Sequence, residues 1–206
     1  MNIIGVIAEY NPFHNGHLYH INKIKELYPD SLIVLVTSGY FTQRGHISVL
    51  SKESKTKIAL DNNIDIVLEL PFIYSTQSSD IFAHQAITIL NELKIDTLVF
   101  GSESNDIENL KYLANIQLNN KEYDSLVKKY LEEGINYPTA MSKALELDSN
   151  ITTPNDLLGI SYIKAINKIV IKDIILLSDL FFIRLLNCII AVGITQVTNR
   201  VVEDGY

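Results

Sequence analysis

Short apolar runs alternate along this chain with stretches whose apolar positions recur every three or four residues. The runs Ile3–Ala8, Leu32–Thr37, Ile64–Leu70 and Thr97–Phe100 read as strands. Leu32–Thr37 is nearly all apolar, as a strand buried on both faces of a parallel sheet should be. After the first run, Leu18, Ile21, Ile24 and Leu27 fall at helical spacing. A helix capped by Ser51 is expected to run to about Asn62, Pro71 stops the third strand, and another helix is expected over Ser79–Leu93. This order predicts an α/β fold with a parallel sheet and right-handed crossovers. Beyond Gly101 the period becomes mostly helical, over about Ile107–Asn115, Lys121–Glu133 and Thr139–Leu147. A further helix starts after Pro154, with Asn155 or Asp156 near its cap. Ile169–Ile194 is apolar on all sides, the pattern of a buried helix pair or of an interface with a second copy in a homo-oligomer.

The first strand-to-helix junction holds the sharpest chemical signal. There Ile3–Ala8 gives way to Glu9-Tyr10-Asn11-Pro12-Phe13-His14-Asn15-Gly16-His17. A strand delivers such a turn to the edge of the sheet where ligands of open α/β folds collect. The helix that follows points unpaired N–H groups and the positive end of its dipole at an anion. Gly16 lacks a Cβ, so backbone can approach a phosphate closely. Two imidazoles can each donate a hydrogen bond to phosphate oxygens, and these bonds strengthen as charge develops at phosphorus. Together these features point to adenylyl transfer, with His14 and His17 as the catalytic candidates.

The other strands also end in polar or glycine-bearing groups: Ser38-Gly39, Glu69 and Gly101-Ser102-Glu103. In a parallel sheet these ends share one edge and converge on a ligand. Arg44, in the loop after the second strand, is either a phosphate or RNA contact or a plain exposed arginine. Asp65 and Asp80 read as surface or capping residues. No His, Cys or carboxylate cluster has metal-ligand spacing, so any Mg²⁺ is expected to arrive with ATP.

Composition narrows the class. With 47% apolar and 20% charged residues, the 206-residue chain is not a disordered one. A net charge of −7 gives no overall electrostatic footprint for nucleic acid. The cluster Lys52, Lys55 and Lys57 reads as a solvated helix face. Cys188 has no histidine near it in sequence and reads as a small core residue, compatible with a reducing compartment. No signal peptide is recognisable. The longest uncharged C-terminal stretch, Leu185–Asn199, is too short to span a bilayer. The expectation is a cytoplasmic protein with no membrane partner.

A His-Asn-Gly-His turn after a strand resembles the nucleotidyltransferase superfamily that shares its fold with class I aminoacyl-tRNA synthetases. One member is more similar still. Glu9–His17, Ser38–Gly45, Leu68–Pro71, Asp80–Ala83, Phe100–Glu103 and Pro154–Gly159 resemble, in order, the motifs of the tRNA(Met) cytidine acetate ligase family. The likeness covers about residues 1–168.

This resemblance implies a Rossmann-like nucleotide-binding core over residues 1–104. A mostly helical region, 105–206, would complete the ATP site. It implies that ATP and acetate give acetyl-adenylate, and that the acetyl group passes to the wobble cytidine of elongator tRNA(Met) as N4-acetylcytidine. The ATP contacts it implies are Ile7, Ala8, Glu9, Tyr10, Asn11, Pro12, Phe13, His14, Asn15, Gly16, His17, Leu18, Tyr19, His20, Gly101 and Asn155. After about Asn167 the likeness ends, because Lys168 runs into Ile169–Leu177 without the family's arginine-containing segment.

Overall fold

The computed structural model describes residues 2–144, 153–169 and 175–178. Five parallel strands form one sheet in the order β3-β2-β1-β4-β5. They are β1 (Ile3–Ile7), β2 (Leu32–Ser38), β3 (Ile66–Leu70), β4 (Thr97–Phe100) and β5 (Ile175–Ser178). Strand order reverses between β1 and β4, the point at which doubly wound folds open a crevice at the carboxyl edge.

Alternation along each strand feeds two cores. Ile4 and Val6 of β1, Ile33 and Leu35 of β2, and Val99 of β4 pack against α1 (Asn15–Leu27) through Ile21 and Ile24. On the other face, Val34, Val36, Leu98 and Phe100 pack against α4 (Ser79–Glu92) and α8 (Pro154–Ile169). The latter layer also takes in Leu110 and Leu113 of α5 (Ile107–Asn119). Ile4, Ile21, Ile24, Ile33 and Leu35 are fully buried, each stabilising the fold by about 1.5–3 kcal/mol relative to exposure. Two more helices, α6 (Lys121–Glu132) and α7 (Tyr137–Ala144), close a small core of their own around Tyr123, Val127, Ala140 and Met141.

The α/β class and the first four strands match the expectation; β3 starts at Ile66 rather than Ile64. The segment Ile169–Ile194 needs correction. Its described residues are the end of α8 and Ile175–Ser178, and the latter form a parallel strand beside β4, not part of a helix pair. Ile174-Ile175-Leu176-Leu177 is a short apolar run, and such a run cannot be told from a buried helix by period alone. The rest of that segment, with Cys188, lies outside the described residues.

Helix α8 begins at Pro154, so Thr153 precedes it and Asp156 is its third residue. Two short helices complete the described elements: α2 (Lys52–Asp61), capped by the Ser51 side chain, and α3 (Phe72–Ser75) after Pro71. No helix among the described residues is long and apolar enough to cross a membrane.

Candidate active site

The turn after β1 is held tightly before any ligand enters. Tyr10 adopts a left-handed φ of 46°, and its ring is buried against Phe13 and His17, with centroids 4.9 and 4.7 Å away. His14 is the N-cap of α1 and its Nδ1 accepts the Gly16 N–H at 3.1 Å. Reciprocally, the His14 N–H donates to Nδ1 of His17 at 3.3 Å. The two rings stack with centroids 3.7 Å apart.

This histidine capping box fixes chemistry as well as shape. An Nδ1 that accepts a hydrogen bond carries no proton, so the neutral rings hold their protons on Nε2. Burial lowers the His14 pKa. Burial pushes His17 down to about 3, and the neighbouring His14 and His20 add to the shift. Both rings are therefore neutral Nε2–H donors at neutral pH.

The opposite wall is the loop between β2 and α2. It folds as a small flap in which Phe41 and Ile47 form an antiparallel bridge and the Thr42 N–H donates to the His46 carbonyl at 2.8 Å. Gly45, at φ 77°, makes its tight return. Residues of the β1–α1 turn hold this flap. The Glu9 carboxylate accepts the Gln43 N–H at 2.7 Å, and Asn11 Oδ1 accepts the Val49 N–H at 2.6 Å and the Ser48 hydroxyl at 3.1 Å. From below, the buried Lys55 ammonium donates to the Ser38 and Gly39 carbonyls, both at 2.7 Å. Lys55 is thus a staple of the flap, contrary to the reading of its cluster as a solvated face, and burial lowers its pKa.

Between turn and flap lies a cavity of about 340 Å³, lined by Glu9, Tyr10, Asn11, Pro12, His14 and His17 on one side. Thr42, Arg44 and His46 line the other. Sequence reasoning missed Thr42 and His46. Only the alternation along the flap could have signalled them. The hydroxyls of Tyr10 and Thr42 are buried without a hydrogen-bond partner. A larger hollow of about 600 Å³ between α2 and β3, lined by Lys52, Glu53, Lys57 and Glu69, reaches none of the histidines.

The remaining expected contacts sit elsewhere. Gly16 is buried in the first turn of α1, Asn15 is exposed, and Ile7, Ala8, Phe13, Leu18 and Tyr19 are half-buried around the turn. His20 points into the core, where burial pushes its pKa to about 4.

Gly101 and Asn155 do not line the histidine cavity. Gly101 follows β4, which runs parallel to β1, so it emerges on the same sheet edge. A carboxylate exchange ties it to α8. Asp156 accepts the Ser102 hydroxyl and the Glu103 and Ser104 N–H groups, while Glu103 accepts the Asn155 and Asp156 N–H groups at 3.2 and 2.9 Å. Asp65 and Asp80 serve the fold: Asp65 takes the Ile33 N–H and Lys25, and Asp80 takes Lys164 and Ser161.

A neutral pair of imidazole donors at a helix N-terminus, facing a flap with an arginine, is equipped to bind a nucleotide phosphate. The family profile for HIGH Nucleotidyl Transferase matches residues 1–176. A tRNA(Met) cytidine acetate ligase of Fusobacterium nucleatum subsp. nucleatum is 49% identical over 168 residues, covering 82% of this chain and 42% of that protein. The chain belongs to the tRNA(Met) cytidine acetate ligase family of HIGH nucleotidyl transferases.

A second family member, from Caldicellulosiruptor bescii, is 44% identical over 173 residues, covering 82% of this chain and 43% of its own. Among solved structures, Thermotoga maritima TmcAL bound with alpha-thio ATP superposes with a TM-score of 0.75 at 37% identity. That superposition covers 86% of this chain and 47% of the other. The chain spans about half the length of the family members it matches.

Proposed function

We propose that this chain activates acetate with ATP and passes the acetyl group to the wobble cytidine of elongator tRNA(Met). The observation that carries the reading is the stacked His14–His17 pair, with both Nδ1 atoms engaged as caps and both Nε2–H groups left as donors. An acetate oxygen attacks the α-phosphorus of ATP. The bond from that phosphorus to the oxygen bridging to the β-phosphorus breaks, and pyrophosphate leaves. The Nε2–H groups of His14 and His17 stabilise charge on the α-phosphate oxygens, assisted by the N–H groups of the first turn of α1. The cytidine N4 amine then attacks the acetyl carbonyl, loses a proton, and expels AMP, leaving N4-acetylcytidine.

In this proposal Glu9–Pro12, His14 and His17 form the phosphate-side wall, and Gly101 and Asn155 hold the nucleoside. Arg44 and His46 of the flap meet the outer phosphates. Among the described residues no group of three or more His, Cys, Asp or Glu side chains could hold a metal ion. Mg²⁺ therefore belongs to the proposal as an ion held chiefly by the triphosphate oxygens.

The test is acetate-dependent exchange of labelled pyrophosphate into ATP. Exchange is expected with the intact chain and lost in His17→Ala. Calorimetric ATP binding without exchange would reduce the reading to nucleotide binding, and exchange without acetyl transfer to tRNA would confine it to the first half-reaction. Transfer of AMP to a phosphorylated metabolite, independent of acetate, would instead establish a small-molecule adenylyltransferase.

A further inference from the structure

The flap that faces the histidine pair has little of its own to hold it in place. Its two arms share the Phe41–Ile47 bridge and backbone hydrogen bonds from Thr42 to His46 and from Ser48 to Tyr40. A two-stranded hairpin is marginally stable in water by itself. Apolar burial adds little, since Ile47 and Val49 are 76% and 71% exposed, and only Phe41 meets a ring of the body, Phe72, at 5.2 Å between centroids. Polar attachments therefore decide where the flap stands over the cavity.

Beyond the Lys55 staple at its base, those attachments come from the histidine turn and take one arm each. Glu9 accepts the Gln43 N–H of the outgoing arm at 2.7 Å. Asn11 Oδ1 accepts the Val49 N–H and the Ser48 hydroxyl of the returning arm at 2.6 and 3.1 Å. Glu9 and Asn11 also line the cavity, where a carboxylate is a poor direct partner for a polyanion. The flap, by contrast, carries the cation. Arg44 is exposed, lines the cavity and forms no ion pair among the described residues.

We propose that Glu9 and Asn11 are positioning residues that act on the nucleotide through the flap. By clamping one arm each, they set how far Arg44 and His46 stand from the histidine pair, and so make the site selective for a nucleoside triphosphate over a monophosphate. This rests on the reading that the cavity takes ATP, with its α-phosphate at the histidines and its outer phosphates at the flap.

Gln43 allows the Glu9 clamp to be cut without touching the cavity wall. It is the second residue of a turn closed by the Gly45 N–H on the Thr42 carbonyl at 2.9 Å, and its φ is not left-handed. Proline is favoured at that position, so Gln43→Pro removes the N–H that Glu9 accepts while the turn keeps its shape.

The full chain and its variants are titrated calorimetrically with ATP and with AMP, and the ratio of the two affinities is the readout. Wild type should prefer ATP. Arg44→Ala should lower that preference at least about tenfold, as expected when a charged hydrogen-bond donor is lost. Asn11→Ala and Gln43→Pro should each lower it about threefold to tenfold, and should cost little more when added to Arg44→Ala, because they act through it. Gln43→Ala, which retains the N–H, should match wild type. Glu9→Gln, which retains an oxygen acceptor, should recover most of what Glu9→Ala loses. Failure of wild type to bind ATP removes the reading of the cavity and this proposal with it. ATP binding whose preference survives Asn11→Ala and Gln43→Pro overturns the positioning role alone. So does equal weakening of ATP and AMP, the mark of a merely structural role, and so does a Glu9→Gln as impaired as Glu9→Ala, which would assign Glu9 to its charge.

Discussion

His14 and His17 each do two jobs with two nitrogens. Nδ1 closes the capping box at the start of α1, and in the proposed reaction Nε2–H donates to the α-phosphate. Substitution therefore separates stability from chemistry unevenly. His14→Ala removes the N-cap and should cost about 1 kcal/mol of stability as well as rate. For either alanine variant, acetate-dependent pyrophosphate exchange should fall by about a hundredfold to a thousandfold, the usual loss when one transition-state donor is removed. Exchange kinetics beside thermal denaturation of the same samples separate the two effects. Rates within a few-fold of wild type would end the catalytic assignment of the pair. Their spacing and glycine were legible in sequence because both lie in one short turn. Thr42 and His46 were not, because they reach the cavity only through the fold of the flap, some thirty residues further on.

Among elements, what sequence conceals is tertiary attachment. Strands β1 to β4 were legible as short apolar runs, α1 from its period and α2 from its Ser51 cap, whereas the one-turn α3 after Pro71 left no signal. Lys55 was misread because, within a helix of mostly polar residues, nothing local distinguishes a lysine that solvates from one that reaches two strand-end carbonyls. Lys55→Met keeps the aliphatic bulk and orphans the Ser38 and Gly39 carbonyls. It should destabilise the protein by about 2 kcal/mol and weaken nucleotide binding through a loosened flap, read by urea denaturation and calorimetry.

Gly159 of α8 poses a contest between two effects. Alanine would favour the helix by about 1 kcal/mol. Its Cβ would, however, lie 2.7 Å from Cε2 of the buried Phe100 ring and 3.4 Å from Leu110. A ring held between α5, α8 and the sheet cannot step aside as a flexible chain end would, so overpacking wins. Gly159→Ala should lose about 1–2 kcal/mol in urea denaturation. A gain would show that the core yields more readily than its packing implies.

For the whole molecule, placing one histidine in the core and a second under a ring stack links folding to proton uptake. His17 and His20 are pushed down to about 3 and about 4, both by burial, so the native chain refuses protons that the unfolded chain accepts at the ordinary histidine value. The unfolded state then binds more protons throughout the window from the ordinary value of 6.5 down to about 4, and in that window stability falls as pH falls. Their contribution is complete above the unfolded value and is lost on acidification. Between about pH 7.5 and about pH 5 the loss should be about 2 kcal/mol for each histidine. Urea denaturation at the two pH values measures it directly. His20→Leu removes one of the two groups, so its pH-dependent loss should be about half that of wild type, whatever its absolute stability. An unchanged slope would place the acid sensitivity in other groups and free the core imidazole from the linkage. Across that window native His17 keeps its Nδ1 unprotonated, so its capping hydrogen bond and the nucleotide cavity beside it should persist for as long as the chain stays folded. ATP binding, measured by calorimetry at both pH values, should follow only the folded fraction.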